Sequence, residues 1–287
     1  MKIGFVGTGV MGTGIVNNLL KAGHEVTVYS RTKAKAKSLL DNGATWADSP
    51  AEACQGNDFV LTMVGYPNDV KDVYFGENGI FSVATNQQIL IEMTTSTPSL
   101  AVELGNYADI HGLQILDAPV SGGDIGAKNA TLTIMVGGNE DTYNSATVIF
   151  EQISQQFNRF GGYGSGQHTK MANQIMIAGT MTGLTEMLVY AKAAGLDLTA
   201  VFATLKSGAA DNWSMDNYVP RILKQDYTPG FFAKHFLKDL RIALDEANRL
   251  GISLPATEQA KELYETLVDE DGLGGDGTQA LVKLWWN

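Results

Sequence analysis

The glycine pattern near the start of the chain restricts its fold more than any other feature. The spacing GxGxxG is formed by Gly7, Thr8, Gly9, Val10, Met11 and Gly12. An apolar run over residues 3–6 precedes the glycines, and apolar residues recur at helical spacing after them. Such glycines permit a tight turn, let a pyrophosphate approach the backbone and let the helix pack on the strand. The pattern therefore predicts a strand–turn–helix unit that binds a dinucleotide, with the phosphates at the helix N-terminus.

Strand-like and helix-like segments alternate through the first half of the chain. Short apolar runs predict strands over residues 3–6, 26–29, 59–64, 89–93, 115–116 and 132–136. Parallel strands are buried on both faces and read as continuous apolar runs of this kind. The helical segments between them, such as the basic one over residues 33–40, would form the crossover connections. We therefore expect an α/β fold with an N-terminal Rossmann dinucleotide-binding domain.

The pattern changes at a glycine cluster over residues 161–166. Strand signals largely disappear beyond this cluster. Helical segments are predicted over residues 167–194, 198–207, 237–250 and 257–267. The sequence thus predicts a Rossmann domain over residues 1–162 and an all-α C-terminal domain over residues 163–287.

Composition excludes several classes of partner. The net charge of −11 argues against nucleic acid and anionic membrane surfaces as partners. The longest apolar stretches are far shorter than the ~20 residues that a membrane helix needs, and the first residues do not fit a signal peptide. A single cysteine, Cys54, cannot form an internal disulfide, so we expect a reducing cytoplasmic location.

The end of the second predicted strand indicates which dinucleotide is bound. An NAD site usually has Asp or Glu at this place to bind the ribose 2′-hydroxyl. This strand instead ends in Ser30, Arg31 and Thr32, with two lysines close behind. A guanidinium can bind a 2′-phosphate through paired charge-assisted hydrogen bonds. The sequence favours NADP(H) over NAD(H), with a solvated basic helix start as the alternative interpretation.

Two further segments have the chemistry of a reaction site. Successive amides of the turn Ser121, Gly122 and Gly123 can form an anion-binding nest for a substrate carboxylate, although an ordinary turn explains the same residues. Lys170 shares one helix face with Asn173 and Gln174. A partly buried ammonium there could protonate the alkoxide left by hydride addition, whereas most helical lysines are solvated. The four histidines show no metal spacing, and no metal site is expected.

These residues resemble the β-hydroxyacid dehydrogenases, a family that includes 3-hydroxyisobutyrate dehydrogenase, tartronate semialdehyde reductase and the glyoxylate/succinic semialdehyde reductases. The resemblance covers essentially the whole chain. The segments that carry it are residues 7–12, 92–98, 117–126, 164–173 and 238–240. The chain departs from the usual family pattern at Ser30, Glu92, Ala130 and Gln174, where Asn, Asp, Gly and Asn are usual.

The resemblance implies a role for each matching position. It implies that Lys170 is the catalytic lysine and that Ser121, Gly122 and Gly123 hold the substrate carboxylate. It places Thr95 beside nicotinamide and substrate, and it places Lys238 on the cofactor. Ser30, Arg31 and Thr32 resemble the Asn-Arg-Thr of the NADP-preferring branch. The further residues predicted to contact substrate or cofactor are Asn173, Gln174, Met63 and Val64.

The expected function is hydride transfer between NADP(H) and a small β-hydroxy acid or its semialdehyde or 2-oxo acid partner. Two alternatives stay open at this point. An imine reductase has the same architecture, and a non-catalytic cofactor-binding interaction protein could retain the glycine turn. The resemblance further implies a C-terminal domain similar to that of 6-phosphogluconate dehydrogenase. Assembly as a homodimer or homotetramer is also expected.

Overall fold

A computed structural model describes residues 1–286. The chain divides into two compact units, the first comprising Met1–Lys170 and the second beginning at Met171. The division falls eight residues after the predicted domain boundary at residue 162, inside a long helix. Each unit is described by itself below.

The first unit is built on one nine-stranded sheet with the order β3-β2-β1-β4-β5-β6-β8-β7, and β9 pairs with β8. Six strands are parallel, whereas β8 runs antiparallel to β6 and β7 and parallel to β9. The strands are β1 Lys2–Val6, β2 Glu25–Tyr29, β3 Thr45–Trp46, β4 Phe59–Thr62, β5 Ile89–Glu92, β6 Gln114–Asp117, β7 Val120–Ser121, β8 Leu132–Gly138 and β9 Ser154–Gly161. This arrangement is the predicted Rossmann-like α/β fold.

The central strands are buried on both faces, as their continuous apolar runs predict. Every residue of β4 and of β5 is buried. One face packs Phe5, Leu61 and Ile91 into a core, and the other packs Val60 and Leu90 into a second core. Because the parallel strands end at one edge of the sheet, the loops after β1, β4, β5 and β6 are held near one another.

Helices connect these strands and cover the sheet. They are α1 Val10–Lys21, α2 Lys37–Asp41, α3 Pro50–Cys54, α4 Pro67–Phe75, α5 Pro98–His111, α6 Gly123–Asn129 and α7 Glu140–Ile153. The basic segment predicted as one helix over residues 33–40 is instead a 3₁₀ turn, Lys33–Ala36, followed by α2. Cys54 is buried, and burial raises the pKa of its thiol to about 11.

The sequence pattern does not predict three of the strands. β3 and β7 have two residues each, too short to form a recognisable pattern. β9 is long, but it lies beside β8 with mostly half-buried or exposed residues, so it lacks the apolar run of a central strand. A polar sequence is typical of a strand that pairs on one side only.

The second unit is helical, as predicted. The long helix α8, Ser165–Ala193, begins in the first unit and continues into the second. It is followed by α9 Leu198–Leu205, α10 Trp213–Leu223, α11 Ala233–Leu250 and α12 Pro255–Glu265, and by short turns at Thr266–Glu270 and Thr278–Leu284. Phe236, Tyr264 and Leu281 are central to its core. Among residues 1–286, no helix is both long enough and apolar enough to cross a membrane.

Candidate active site

The dinucleotide turn follows β1 in the first unit, and two of its glycines are required by close backbone contacts. Gly7 has a φ of +106°, and a Cβ there would lie 2.0 Å from the carbonyl oxygen of Met63. A Cβ on Gly12 would lie 2.0 Å from the carbonyl oxygen of Gly7 and 2.9 Å from the Phe5 ring. A side chain at Gly7 would push the turn away from the loop after β4, and one at Gly12 would push α1 away from the turn and from β1.

Gly9, the second glycine of the turn, is not required by contacts within the described part of the protein. A Cβ on Gly9 would meet no described atom within 4 Å, so the protein's own packing does not require glycine there. The neighbouring Thr8 hydroxyl is buried and has no hydrogen-bond partner among the described residues. Open space beside an unsatisfied buried donor, at the N-terminus of α1, fits a phosphate group. The residues of this turn thus fit the pyrophosphate of a nicotinamide dinucleotide.

The predicted 2′-phosphate residues lie at the end of β2. The Arg31 side chain is 78% exposed, and its Nη1 lies 2.8 Å from Oδ1 of Asp69. Oδ2 of Asp69 accepts a hydrogen bond from the Tyr66 backbone N–H at the start of α4. Asp69 therefore orients the Arg31 guanidinium. This contact uses one of the five N–H donors of the guanidinium. Ser30 is half-buried, and Thr32 precedes the Lys33–Ala36 turn.

Met63 and Val64 follow β4 and lie against the dinucleotide turn, as the approach of Gly7 to Met63 shows. The Val64 backbone N–H donates to Oγ1 of Thr94, at 2.9 Å. Thr94 follows β5 and immediately precedes Thr95. The structure thus brings the predicted cofactor residues after β1 and β4 next to the loop that carries Thr95.

A glutamine in the first turn of α8 holds that loop. The Gln167 side chain is fully buried; its Oε1 accepts from the Ser96 backbone N–H at 3.0 Å, and its Nε2 donates to the Thr94 carbonyl at 2.8 Å. Glu92, at the end of β5, accepts from the Thr94 backbone N–H at 2.8 Å. The backbone on both sides of Thr95 is therefore fixed.

A buried carboxylate fixes the start of the same helix. Oδ1 and Oδ2 of Asp117, at the end of β6, accept from the backbone N–H groups of Gly164 and Gln167, each at 2.9 Å. Burial raises the pKa of Asp117 above its ordinary value, and these backbone hydrogen bonds oppose that rise. A carboxylate on the first N–H groups of a helix also interacts favourably with the helix dipole.

Lys170 lies one turn further along α8 and is the last residue of the first unit. Its side chain is unusually enclosed for a lysine, since only 6% of the residue is exposed. Gln167 is three residues before it and therefore lies on the same face of the helix. The structure thus assigns Lys170 to a buried position on a helix whose first turn is anchored to β5 and β6.

The predicted carboxylate-binding turn connects β7 to α6. Gly122 and Gly123 have φ values of +120° and +63°, and Ser121, Gly122 and Gly123 are all partly exposed. The helix below this turn packs on α1: a Cβ on Gly14 would lie 2.8 Å from the Ala127 carbonyl carbon, and Asn18 Nδ2 donates to the Ala127 carbonyl at 2.7 Å. The predicted carboxylate-binding turn therefore leads into α6, and α6 packs on α1, the helix that follows the dinucleotide turn.

Three predicted site residues of the second unit form a chain of polar contacts. Asn173 Nδ2 donates to Gln174 Oε1 at 2.7 Å, and Gln174 Nε2 donates to Asp239 Oδ2 at 2.7 Å. Asp239 Oδ1 lies 3.0 Å from Lys238 Nζ. Gln174 is fully buried, and both ends of its amide are used in these contacts. Its predicted contact with substrate stays a prediction; the structure shows that it orients Asn173.

The sequence pattern does not predict a role for several of these residues. Gln167, Asp69 and Gly14 act through contacts that are distant in the sequence, and no local pattern marks Gln167 or Asp69. Gly14 alone had a weak signal, because it is a fourth glycine that follows the GxGxxG segment two residues after Gly12. In the described part of the chain, no group of three or more His, Cys, Asp or Glu side chains could hold a metal ion.

Comparisons with known proteins agree with this geometry. Residues 2–162 match the model of the NAD-binding domain of 6-phosphogluconate dehydrogenase, and residues 164–285 match the NAD-binding model of NADP-dependent 3-hydroxyisobutyrate dehydrogenase. An Arabidopsis thaliana relative, named probable 3-hydroxyisobutyrate dehydrogenase-like 1, is 46% identical over 98% of this chain and 84% of its own length. The 2-hydroxy-3-oxopropionate reductase of Escherichia coli is 35% identical over 95% and 93%.

Solved structures show the same architecture. The 3-hydroxyisobutyrate dehydrogenase of Mycobacterium tuberculosis, determined with L-serine, superimposes with a TM-score of 0.89 and is 28% identical; the match covers 100% of this chain and 99% of that one. The fold and the dinucleotide turn define an oxidoreductase that uses a nicotinamide dinucleotide. The chain belongs to the 3-hydroxyisobutyrate dehydrogenase-like family of β-hydroxyacid dehydrogenases.

Proposed function

We propose that this protein transfers a hydride between NADP(H) and a small β-hydroxy acid or its carbonyl partner, with Lys170 as the general acid and base. Bound NADP(H) would supply or accept the hydride. The observation that carries the proposal is the buried position of Lys170, on a helix turn anchored to the strand ends beside the dinucleotide turn. A lysine is rarely buried without a specific role for its charge.

Each site residue has a chemical task in this proposal. The Lys170 ammonium donates a proton to the substrate oxygen during reduction and takes it back during oxidation. Its positive charge also stabilises the alkoxide that develops on that oxygen. Ser121, Gly122 and Gly123 bind the carboxylate through the turn amides and the hydroxyl. Thr95 orients the substrate, while Asn173 holds the substrate oxygen or Lys170.

The ligand of one similar structure and the name of one relative support a three-carbon acid as the substrate class. L-Serine and 2-hydroxy-3-oxopropionate both carry a carboxylate and an oxygen function on the β-carbon. The test is a screen of NADPH oxidation with glyoxylate and with succinic, tartronate and methylmalonate semialdehydes. We expect turnover of at least one of the four. Failure with all of them despite tight NADPH binding would favour the non-catalytic alternative, and reduction of cyclic imines alone would favour an imine reductase.

Cofactor preference provides a separate prediction. Replacing Arg31 with alanine is expected to weaken NADPH binding about 10- to 100-fold, because charge-assisted hydrogen bonds of this kind contribute roughly 1.5–3 kcal/mol each. NADH binding should change by less than about threefold, since it lacks the 2′-phosphate. Titration of intrinsic fluorescence with each cofactor measures both affinities.

Lys37→Ala is the matched control, because Lys37 belongs to the same basic segment and pairs locally with Asp41. This variant should bind both cofactors as the wild type does. Equal losses of NADPH and NADH affinity in Arg31→Ala would contradict the assignment of Arg31 to the 2′-phosphate.

We also propose that the protein assembles as a homodimer or homotetramer. Helix α9 consists of uncharged residues, and none of them is buried. Next to it, two grooves of about 770 Å³ and 670 Å³ share Gly183, Met187 and Leu205. Neither groove is lined by a predicted site residue, so neither is the candidate active site. A continuous exposed apolar surface is typical of an interface, and a second copy presents the same surface in a two-fold dimer.

Introducing a charge into the larger groove tests this assembly. Ala200 is exposed on α9 and lines that groove. Ala200→Arg should therefore leave the fold intact but convert the oligomer to a monomer, since a buried unpaired charge disfavours association. Light scattering after size-exclusion chromatography measures the mass. Ile110→Arg is the control, because Ile110 is 80% exposed on α5 and lies outside both grooves. A monomeric wild type, or an Ala200→Arg oligomer, would contradict the proposal.

The proposed location is the cytoplasm. Cys54 is the single cysteine of the chain, and its thiol is enclosed in the core with a raised pKa. Such a residue contributes packing rather than a disulfide, which suits a reducing compartment.

A further inference from the structure

We propose that Gln167 is a positioning residue that fixes the Thr95 loop relative to Lys170. This inference rests on the proposed function, because it assigns Thr95 and Lys170 to the reacting groups. Gln167 itself contacts neither cofactor nor substrate in this proposal; it acts through the backbone that it holds.

The amide of Gln167 spans the loop. Oε1 accepts from the Ser96 N–H at 3.0 Å, and Nε2 donates to the Thr94 carbonyl at 2.8 Å. Thr95 is the residue between these two contacts. A loop fixed at both neighbours leaves the intervening residue little freedom in φ and ψ. The side chain of Gln167 therefore sets where Thr95 lies.

The contacts permit only one orientation of the amide. Exchanging its oxygen and nitrogen would place a carbonyl against the Thr94 carbonyl and an N–H against the Ser96 N–H. Oε2 of Glu92 lies 3.5 Å from Nε2, which further favours the donor at that end. Glutamate or a shorter amide at position 167 cannot reproduce this pattern, so the position requires glutamine rather than polarity alone.

The backbone of the same residue fixes the helix. The Gln167 N–H donates to Oδ2 of Asp117 at 2.9 Å, which anchors the first turn of α8 to the end of β6. Lys170 follows three residues later on the same helix face. One residue thus joins the loop after β5, the end of β6 and the turn that carries the lysine. A displacement of about 1 Å between reacting groups can lower a rate by ~10²-fold.

The experiment compares two variants at this position, Gln167→Met and Gln167→Asn. We expect kcat with the fastest substrate of the semialdehyde and glyoxylate screen to fall about 10- to 100-fold in both. The NADPH dissociation constant should stay within about twofold, since the dinucleotide turn is unchanged. Hydrogen exchange of the Ser96 amide should accelerate about 10-fold, because this N–H loses its acceptor.

A double-mutant cycle separates positioning from a general loss of structure. In a Lys170→Ala background, Gln167→Met should lower kcat by less than about threefold, because the group that it positions is absent. Losses that multiply in full would overturn the positioning role, and so would an unchanged kcat or unchanged Ser96 exchange in both single variants.

The control is Gln114→Met, which removes a glutamine hydrogen bond to the Asn86 carbonyl on the exposed side of β6. It should leave kcat and Ser96 exchange unchanged; equal effects in this variant would overturn the specific role of Gln167. Failure of the proposed function is distinguishable. If Lys170→Ala turned over at the wild-type rate, both the proposed role of Lys170 and the positioning role of Gln167 would fail. If Lys170→Ala were slow while Gln167→Met and Gln167→Asn were both fast, only the positioning role of Gln167 would fail.

Discussion

Replacing Lys170 with alanine is expected to lower kcat by about 10²- to 10⁴-fold, because the variant has no group to protonate the substrate oxygen. The NADPH dissociation constant should remain close to that of the wild type, since the dinucleotide turn is formed by residues 7–12 on another element. Stopped-flow measurement of NADPH oxidation, together with fluorescence titration of NADPH, checks both parts. Small primary amines added to the variant should restore part of the rate.

Two further variants make this result interpretable. Lys170→Met retains most of the buried volume, so a similar loss of kcat in Lys170→Met and Lys170→Ala would identify the charge rather than the packing as the cause. Lys192→Ala removes an exposed lysine near the other end of the same helix and should turn over normally. Unchanged turnover in both Lys170 variants would refute the assigned role.

Alanine at Gly12 is expected to destabilise the protein whether or not cofactor is present. The new Cβ would lie 2.0 Å from the Gly7 carbonyl oxygen, which is backbone and cannot move aside cheaply. Overpacking of this kind costs about 1–3 kcal/mol, and we expect the melting temperature to fall by roughly 3–10 °C. Differential scanning calorimetry of the protein without cofactor measures the change.

Alanine at Gly9 should give the opposite pattern. No described atom lies within 4 Å of the new Cβ, so the melting temperature without cofactor should change by less than about 2 °C. NADPH affinity should fall at least about 10-fold, because the Cβ occupies space that the pyrophosphate needs. A Gly9→Ala variant that binds NADPH as tightly as the wild type would contradict the placement of the phosphates at this turn.

The sequence predicts those features that depend on neighbours along the chain. The apolar runs identified the central strands because parallel strands bury both faces, and the glycine spacing identified the turn between β1 and α1. Helical periodicity identified α8, including its end close to Gly195. Lys170 could be selected because the resemblance to a family added information that a single helical lysine does not carry.

Contacts between distant segments could not be predicted in the same way. Arg31 was assigned without its partner Asp69, because 38 residues separate the two and only the fold joins them. Gln167 lies 71 residues from Ser96, and the sequence alone does not distinguish a buried glutamine from an exposed one. Gln174 is predicted to contact a substrate, and its hydrogen bond to Asp239, 65 residues away on another helix, has no signal in the local sequence.

The packing of α1 on α6 has a consequence for altering what the protein accepts. Gly14 and Ala127 are in such close contact that neither helix can shift without the other. Under the proposed function, the substrate carboxylate and the cofactor pyrophosphate therefore bind at the ends of one rigid frame, the packed pair α1 and α6. Changes in the Ser121–Gly123 turn cannot adjust the distance between the two groups. Mutational libraries that aim at longer-chain acids should leave this frame intact and vary the walls around the remainder of the substrate.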